Sequence, residues 1–283
     1  ITYILVLLSY KIILLLIMIK RNTENVLEVS ELNTWYGDRK ILSDINLSVS
    51  RNEIMVIMGH SGSGKSTLLR YILGLEKIKE GIIKLLNKEV AKLSKDELYK
   101  LRKRIGVAFQ SGALFNSMTV GENIELPLHE NTDLDENTIK IMSRIKLELM
   151  QLSGTESLMP AELSGGMLKR AGLARAVIMD PELLFFDEPS AGLDPITSAH
   201  LDNLILQLRD TLNMSIIVVT HELESAFKIA DRITILDKGE IILVGSKEVI
   251  KKSNDSRIIN MLERRAISNP LDAKDYLNRL TKK

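Results

Sequence analysis

The residues with the clearest chemistry form a glycine-rich octapeptide at positions 59–66, with the sequence GHSGSGKS. Glycines let backbone N–H groups approach phosphate oxygens closely, and the helix N-terminus that follows such a loop adds its dipole. In this pattern Lys65 meets the β- and γ-phosphates, and the Ser66 hydroxyl is a Mg²⁺ ligand. The octapeptide therefore predicts a nucleoside triphosphate site. Its expected members are Gly59, Ser61, Gly62, Ser63, Gly64, Lys65, Ser66 and Thr67.

Two acidic residues end an apolar run farther along the chain, at Asp187 and Glu188. A carboxylate that follows a buried strand can hold Mg²⁺, directly or through water, and a neighbouring carboxylate can polarise the attacking water. We therefore expect Asp187 to serve the metal and Glu188 to act as the general base of triphosphate hydrolysis.

The elements that must position these groups are read from hydrophobic patterning. The run 54–58 is continuously apolar, as in a parallel strand buried on both faces, and it leads through the glycine loop into a helix over 66–73. Similar runs predict strands at 105–109, 182–186 and 215–220. Short alternating strands are expected at 26–29 and 45–49, a hairpin around Lys238-Gly239, and helices over 94–104 and 136–151.

Bulk composition limits the classes of function. The 38 Lys and Arg residues nearly balance the 37 Asp and Glu residues, so the chain lacks the strong positive charge that favours nucleic-acid binding. The chain has no cysteine, which excludes disulfides and thiolate metal sites and suits a reducing compartment. We expect no nucleic-acid partner.

The first 20 residues are strongly apolar and long enough to span a bilayer. Lys11 would lie at mid-span, which costs about 2.5–3.5 kcal/mol on insertion scales. The sequence starts with Ile1, and Met18 offers a start codon immediately before the first predicted strand region. We therefore favour the interpretation that residues 1–17 are translated upstream sequence, rather than a membrane anchor.

A second glycine-rich sequence, Ser164-Gly165-Gly166, precedes the acidic pair, and with its neighbours it resembles the signature of ABC-transporter ATPases. In the same comparison Gln110 corresponds to the Q-loop, Asp194 to the D-loop and His221 to the switch histidine. Tyr36 stands where that family stacks an aromatic ring on adenine. The resemblance extends from about residue 26 to residue 249.

The resemblance implies an α/β fold: a RecA-like P-loop NTPase core with an inserted α-helical subdomain, at about 111–170, and an N-terminal antiparallel β subdomain. The ATPase domain would cover 24–250, with a helical tail at 251–283 that contacts the partner ATPase. Two copies would enclose two Mg-ATP molecules, each phosphate loop facing the partner's Ser164, Gly165 and Gly166. Lys65, Gln110, Glu188 and His221 would be catalytic, Ser66, Gln110 and Asp187 would hold Mg²⁺, and Asp194 would link the two sites.

Met167 follows the second glycine sequence where most of the family has glutamine, and this points to a subfamily. Residues 110–115 (QSGALF), 122–128 and 158–167 resemble the ATPase of Mla-type phospholipid transporters. That resemblance implies a permease partner and an MCE-domain lipid-binding protein, with phospholipid moved between inner and outer membranes. The ATPase would lie peripherally on the cytoplasmic face of the bacterial inner membrane, with residues 113–127 contacting the permease.

Three alternatives stay open at this stage. The chain could serve an ABC importer or exporter for amino acids, ions or lipoproteins, although Met167 and residues 112–115 argue against it. A non-transport ABC ATPase usually carries two cassettes or a long coiled-coil insertion, and this chain carries one cassette. An integral membrane protein anchored by residues 1–20 is the third.

Overall fold

The computed structural model describes residues 24–263. The expectations for residues 1–20 and for the tail beyond 263 lie outside this range. Within it, no helix combines the length and apolar character needed to cross a membrane.

The described chain alternates strands and helices. In order, the strands are β1 (Asn25–Tyr36), β2 (Arg39–Ser50), β3 (Ile54–Met58), β4 (Glu80–Leu85), β5 (Lys88–Glu89), β6 (Ile105–Ala108), β7 (Leu183–Asp187), β8 (Ser215–Thr220), β9 (Arg232–Asp237) and β10 (Glu240–Gly245). The helices are α1 (Lys65–Ile72), α2 (Lys95–Arg102), α3 (Val120–Asn131), α4 (Glu136–Leu149), α5 (Gly165–Ala176), α6 (Pro195–Leu212), α7 (Leu223–Ile229), α8 (Lys247–Lys251) and α9 (Ser256–Leu262).

A six-stranded sheet in the order β10-β9-β3-β8-β7-β6 forms the centre of the molecule. Its strands pair in parallel except β10, which forms the expected hairpin with β9. Both faces of β3 are covered, because Val56 belongs to one apolar cluster and Met55 and Ile57 belong to another. This double burial explains why β3 and β8 are continuous apolar runs.

The second sheet is antiparallel, in the order β2-β1-β4-β5, and packs on one side of the central sheet. Strands β1 and β2 are longer than the sequence predicted and meet at a turn in which Gly37 has a φ of +59°. The predicted α/β class, with an antiparallel β subdomain and a P-loop core, is confirmed.

Helix α3 is absent from the sequence predictions because its interior contains Pro127. It forms nonetheless, since Thr119 and Glu122 make a capping box at its start and Val120, Ile124 and Leu128 are buried. Capping and packing together outweigh the loss of one backbone hydrogen bond at proline.

The helical tail expected from residue 251 onwards is described only as far as residue 263. Helix α8 ends at Lys251, residues 252–255 are not helical, and α9 begins after its N-cap Asp255. Ile258 in α9 is fully buried in the main apolar cluster, so the ATPase core continues past the boundary expected at residue 250.

Candidate nucleotide site

A cavity of about 950 Å³ lies at the carboxyl end of β3, over the glycine loop. It collects most of the residues that the sequence assigned to triphosphate chemistry. These lining residues are Gly59, Ser61, Gly62, Gly64, Lys65, Ser66, Thr67, Gln110, Glu188 and His221.

The glycine loop adopts a backbone that side chains would disturb. Gly64 is the N-cap of α1 with a φ of +107°, and a Cβ there would come within 2.7 Å of Leu42. The first turn of α1 therefore opens directly towards the cavity. Free N–H groups at a helix start bind anions, so this end of the cavity suits phosphate.

Lys65 is largely buried, and its Nζ donates hydrogen bonds to the carbonyl oxygens of Gly59 at 2.7 Å and His60 at 3.1 Å. Burial lowers the pKa of Lys65, although the charges of Glu188 and Asp187 partly oppose the shift. The ammonium thus lies within the loop itself. The Ser63 hydroxyl is buried nearby without a hydrogen-bond partner.

Asp187 ends β7, and its carboxyl is affected by both burial and charge. Burial, followed by the neighbouring Glu188 charge, raises its pKa, while Lys65 acts in the opposite direction. Asp187 is not among the lining residues of the cavity, but its charge acts on Lys65, which is.

The expected metal ligands Ser66, Gln110 and Asp187 offer a hydroxyl, an amide and a carboxylate. Across residues 24–263 there is no group of three or more His, Cys, Asp or Glu side chains that could hold a metal ion by itself. An all-oxygen set with one carboxylate fits Mg²⁺, which keeps water and substrate phosphates as its other ligands. It does not fit zinc.

The parallel pairing of β7 with β8 places Glu188 beside His221. Asp187 pairs with Val219, and the Glu188 N–H donates to the Val219 carbonyl at 2.8 Å, so Glu188 lies beside the end of β8. Its Oε2 accepts from the Thr220 hydroxyl at 3.2 Å and the His221 N–H at 3.3 Å, and lies 2.9 Å from His221 Nδ1. Three groups at the end of β8 therefore orient the Glu188 carboxylate: the Thr220 hydroxyl, the His221 N–H and the His221 imidazole.

Gln110 follows β6 and leads into a segment that is fastened to α5. Arg175 donates to the carbonyl oxygens of Gly112 and Ala113, the second at 2.7 Å. A Cβ at Gly172 would come within 2.5 Å of the Gly112 carbonyl oxygen, so the two backbones are in close contact there. The position of the segment after Gln110 is therefore coupled to that of α5.

The second glycine sequence lies outside the cavity. Ser164 is the N-cap of α5 and its hydroxyl accepts from the Met167 N–H at 3.3 Å. Asp194 is the N-cap of α6, where it accepts from the N–H groups of Ile196 and Thr197 at 3.0 Å. Hydrogen bonds to Thr197 lower the pKa of Asp194. Ser164, Gly165, Gly166 and Asp194 are not among the cavity's lining residues.

Tyr36 is also not among the lining residues and is 85% exposed at the end of β1. Two residues shortly after it, Arg39 and Ile41, do line the cavity. The turn at Gly37 separates them from Tyr36, and its geometry could not be read from the sequence. The adenine-stacking role of Tyr36 stays a prediction.

Sequence reasoning missed further residues at this site. Glu222, Leu223, Asn260 and Met261 line the cavity, and the last two come from α9, whose location no sequence pattern indicated. His60 of the glycine loop also lines it.

Lys169 was missed as well. It lies on α5, and its Nζ donates to the carbonyl oxygens of Pro189 at 2.7 Å and Ala191 at 2.5 Å. Burial lowers the pKa of Lys169, and the Glu188 charge opposes the shift. The side chain thus connects the helix after the second glycine sequence to the loop that follows the acidic pair Asp187-Glu188.

A phosphate loop at a helix start, an acidic pair at the end of a parallel strand and a histidine just after the adjacent strand define a P-loop ATPase. The chain also matches the family model described as ABC transporter over residues 42–191. It belongs to this family and is the ATP-binding, ATP-hydrolysing subunit of an ABC transporter.

Among curated relatives, the chain is 42% identical to the intermembrane phospholipid transport system ATP-binding protein MlaF of Haemophilus influenzae. The match spans 85% of this chain and 91% of the relative. It is 37% identical to a probable ribonucleotide transport ATP-binding protein, mkl, of Mycobacterium leprae, over 85% of this chain and 70% of the relative.

Solved structures agree with the fold. The chain matches cbiO1 of Clostridium perfringens, part of the ABC transporter complex cbiONQ, with a TM-score of 0.75 and 30% identity, over 90% of this chain and 99% of that one. It matches the dimeric post-hydrolysis cassette MJ0796 bound to ADP and Pi with a TM-score of 0.71 and 30% identity, over 78% and 98%.

Proposed function

We propose that ATP hydrolysis by this chain drives phospholipid transport between the inner and outer membranes through a permease partner. The observation that carries the proposal is the 42% identity to MlaF, which extends over 85% of this chain and 91% of that relative. Cargo is inferred through this similarity, because an ATPase subunit contacts nucleotide and permease and leaves the cargo to its partners.

In the proposed site the glycine loop and Lys65 bind the phosphates. Bound Mg²⁺ would neutralise phosphate charge, and Ser66, Gln110 and Asp187 are the residues that would hold it. Glu188 accepts a proton from the attacking water, while His221 orients the Glu188 carboxylate and meets the γ-phosphate. Tyr36 would contact adenine at the exposed end of the cavity.

The position of the second glycine sequence supports assembly as a pair. Since Ser164, Gly165 and Gly166 start a helix but lie outside the cavity, their N–H groups are available to the nucleotide of another copy. Asp194 and the exposed Ile196 would lie at the same interface. The similar cassette MJ0796 is dimeric, which is the arrangement we propose for this chain.

The permease is proposed to contact the segment that follows Gln110, on the cytoplasmic face of the inner membrane. Phe115 is half exposed there, with the Arg175 guanidinium 5.6 Å from its ring centroid. The buried amide of Asn123 fixes this loop by accepting from the Phe115 N–H at 2.7 Å and donating to the Phe115 and Met118 carbonyls. An apolar side chain on a fixed loop is suited to contact a partner.

The test is affinity purification of the tagged chain from membranes in mild detergent, with mass spectrometry of proteins and lipids. We expect a permease, an MCE-domain protein and bound phospholipid. Recovery of a permease with a solute-binding protein and without phospholipid would contradict the cargo assignment and leave the ATPase chemistry intact.

Ribonucleotide transport is the second candidate, because the mycobacterial relative named for it is 37% identical over the same share of this chain. The same purification separates the two, since retained ribonucleotide other than the hydrolysed ATP would favour this alternative. Phospholipid transport is favoured, because MlaF has the higher sequence identity to this chain and the match covers a larger share of MlaF than of mkl.

A further inference from the structure

Helix α9 forms part of the nucleotide cavity. Asn260 and Met261 line it together with Lys65, Gln110 and His221, although α9 lies almost 200 residues after the glycine loop in the chain. We expected this helix to belong to a tail beyond the ATPase domain. Its presence at the nucleotide cavity raises the question of what its residues do there.

The position of α9 is fixed by packing. Ile258 is fully buried in the main apolar cluster, and Met261 and Leu262 pack against that cluster, as do Leu223 and Phe227 of α7. Helix α7 begins two residues after His221.

Helix α8 adds two further attachments to α7. The Lys247 ammonium donates to the Lys228 carbonyl at 3.1 Å, and Lys251 lies 5.2 Å from the centroid of the Phe227 ring. Helix α8 is therefore attached to α7 at these two points, and α9 follows it after residues 252–255.

Asn260 has the chemistry of a ligand-binding residue. It is partly buried, and its side-chain amide makes no hydrogen bond to any residue in the range 24–263. An amide offers two N–H donors and one acceptor. A partly buried amide without a protein partner gains from a ligand that accepts its N–H groups, and the cavity it lines is the proposed phosphate site.

We propose that Asn260 is a further nucleotide-binding residue, whose amide donates a hydrogen bond to the terminal phosphate of bound ATP. The proposal rests on the nucleotide site proposed above. Asn260 is assigned to the phosphate end because its neighbour Met261 and Leu223, which lies two residues after His221, both line the cavity and both pack against the main apolar cluster. The lining residues Arg39 and Ile41 come from the antiparallel sheet, near the exposed Tyr36.

The test compares ATP with ADP, because only ATP carries the terminal phosphate. Full-length protein with Glu188→Gln, to prevent hydrolysis, is titrated with fluorescent ATP and ADP analogues in Mg²⁺. A hydrogen bond to a charged group contributes enough for Asn260→Ala to weaken ATP binding about tenfold. ADP lacks the terminal phosphate and cannot make this hydrogen bond, so its affinity should change less than about twofold.

Asn260→Asp should weaken ATP binding further, because a carboxylate repels the phosphate. The matched control is Asn254→Asp, which adds the same charge at an exposed position before α9 and outside the cavity lining. It should bind both nucleotides like the parent. Thermal unfolding of each variant checks that α9 still packs.

Unchanged ATP affinity in both Asn260 variants would overturn the proposal, and so would an equal loss of ATP and ADP affinity, which indicates a structural role. Lys65→Ala distinguishes failure of the proposed nucleotide site from failure of the role proposed for Asn260. If Lys65→Ala keeps full ATP affinity, the proposed nucleotide site itself is wrong. If it loses ATP while the Asn260 variants do not, only the role of Asn260 is wrong.

Discussion

The imidazole Nδ1 of His221 lies 2.9 Å from Oε2 of Glu188, and the His221 backbone N–H donates to the same oxygen at 3.3 Å. These contacts and that of Thr220 all converge on Oε2, and the other carboxylate oxygen makes no hydrogen bond to a residue in the range 24–263, so it can accept one from a water molecule. The parallel register of β7 with β8 places the ends of these strands side by side, which brings the two residues within reach of each other.

We expect Glu188→Gln to bind ATP and to hydrolyse it at least about 100-fold more slowly, since general-base catalysis contributes a factor of that order. The amide keeps the size and the acceptor oxygen but cannot take a proton. Phosphate release measures the rate, and size-exclusion chromatography with ATP should show a persistent dimer. Hydrolysis at the parent rate would show that another group is the base.

Lys169→Met should lower hydrolysis more than ATP binding. The substitution removes the two hydrogen bonds to the Pro189 and Ala191 carbonyls and leaves buried acceptors unpaired, so the loop after Glu188 loses its support. Steady-state kinetics should show a lower kcat with KM little changed. Lys169→Arg, which retains donors, should recover much of the rate, and equal loss in both variants would indicate a packing effect.

How far the sequence predicts this site depends on the residue. Lys65 was predictable because the Gly59 and His60 carbonyls that it contacts are close to it in sequence. Glu188 was predictable because it follows an apolar strand that ends in a second acidic residue. His221 was assigned only through resemblance, since its contact with Glu188 depends on the register of β7 with β8. Lys169 and Asn260 were missed because their contacts are tertiary: each is an ordinary polar position on its own helix, and only packing decides what it meets.

The close contact between α5 and the segment after Gln110 offers a matched pair of glycine substitutions. A Cβ at Gly172 would lie 2.5 Å from the Gly112 carbonyl oxygen and 2.7 Å from its Cα, whereas a Cβ at Gly165 meets nothing within 4 Å. Gly172→Ala should therefore cost about 1–3 kcal/mol of unfolding free energy, the usual cost of overpacking. Gly165→Ala should leave stability near the parent value.

Urea denaturation of the two alanine variants checks this. Similar midpoints for both would show that the Gly112 segment moves aside without cost.

Phe115→Asp should reduce recovery of the permease with the tagged chain. The substitution replaces an apolar ring by a charge on the half-exposed loop that we propose as the contact, and burying that charge against an apolar partner costs desolvation free energy. Ile141→Asp is the control, since Ile141 is similarly exposed on α4. Equal recovery of the permease with Phe115→Asp and the parent would place the contact elsewhere.

The buried carboxyl of Asp202 should make stability depend on pH. It accepts a hydrogen bond from Ser225 and lies 3.6 Å from the Lys228 ammonium, yet burial outweighs both and raises its pKa. A carboxyl whose pKa is raised in the folded state adds stability below its unfolded pKa, about 3.9. This contribution is lost as pH rises through the folded value, because the buried group must then ionise.

Asp202→Asn removes this ionisation and retains a hydrogen-bonding group of the same shape. The unfolding free energy of Asp202→Asn minus that of the parent should therefore increase as pH rises from about 4 and become constant once the parent's Asp202 is fully ionised. Ser225→Ala should act oppositely, because the Ser225 hydrogen bond lowers the pKa of Asp202 and its loss strengthens the destabilisation. Urea unfolding of the three proteins across this pH range measures both differences. A flat or decreasing difference for Asp202→Asn would show that Asp202 is ionised in the folded protein at no cost to stability.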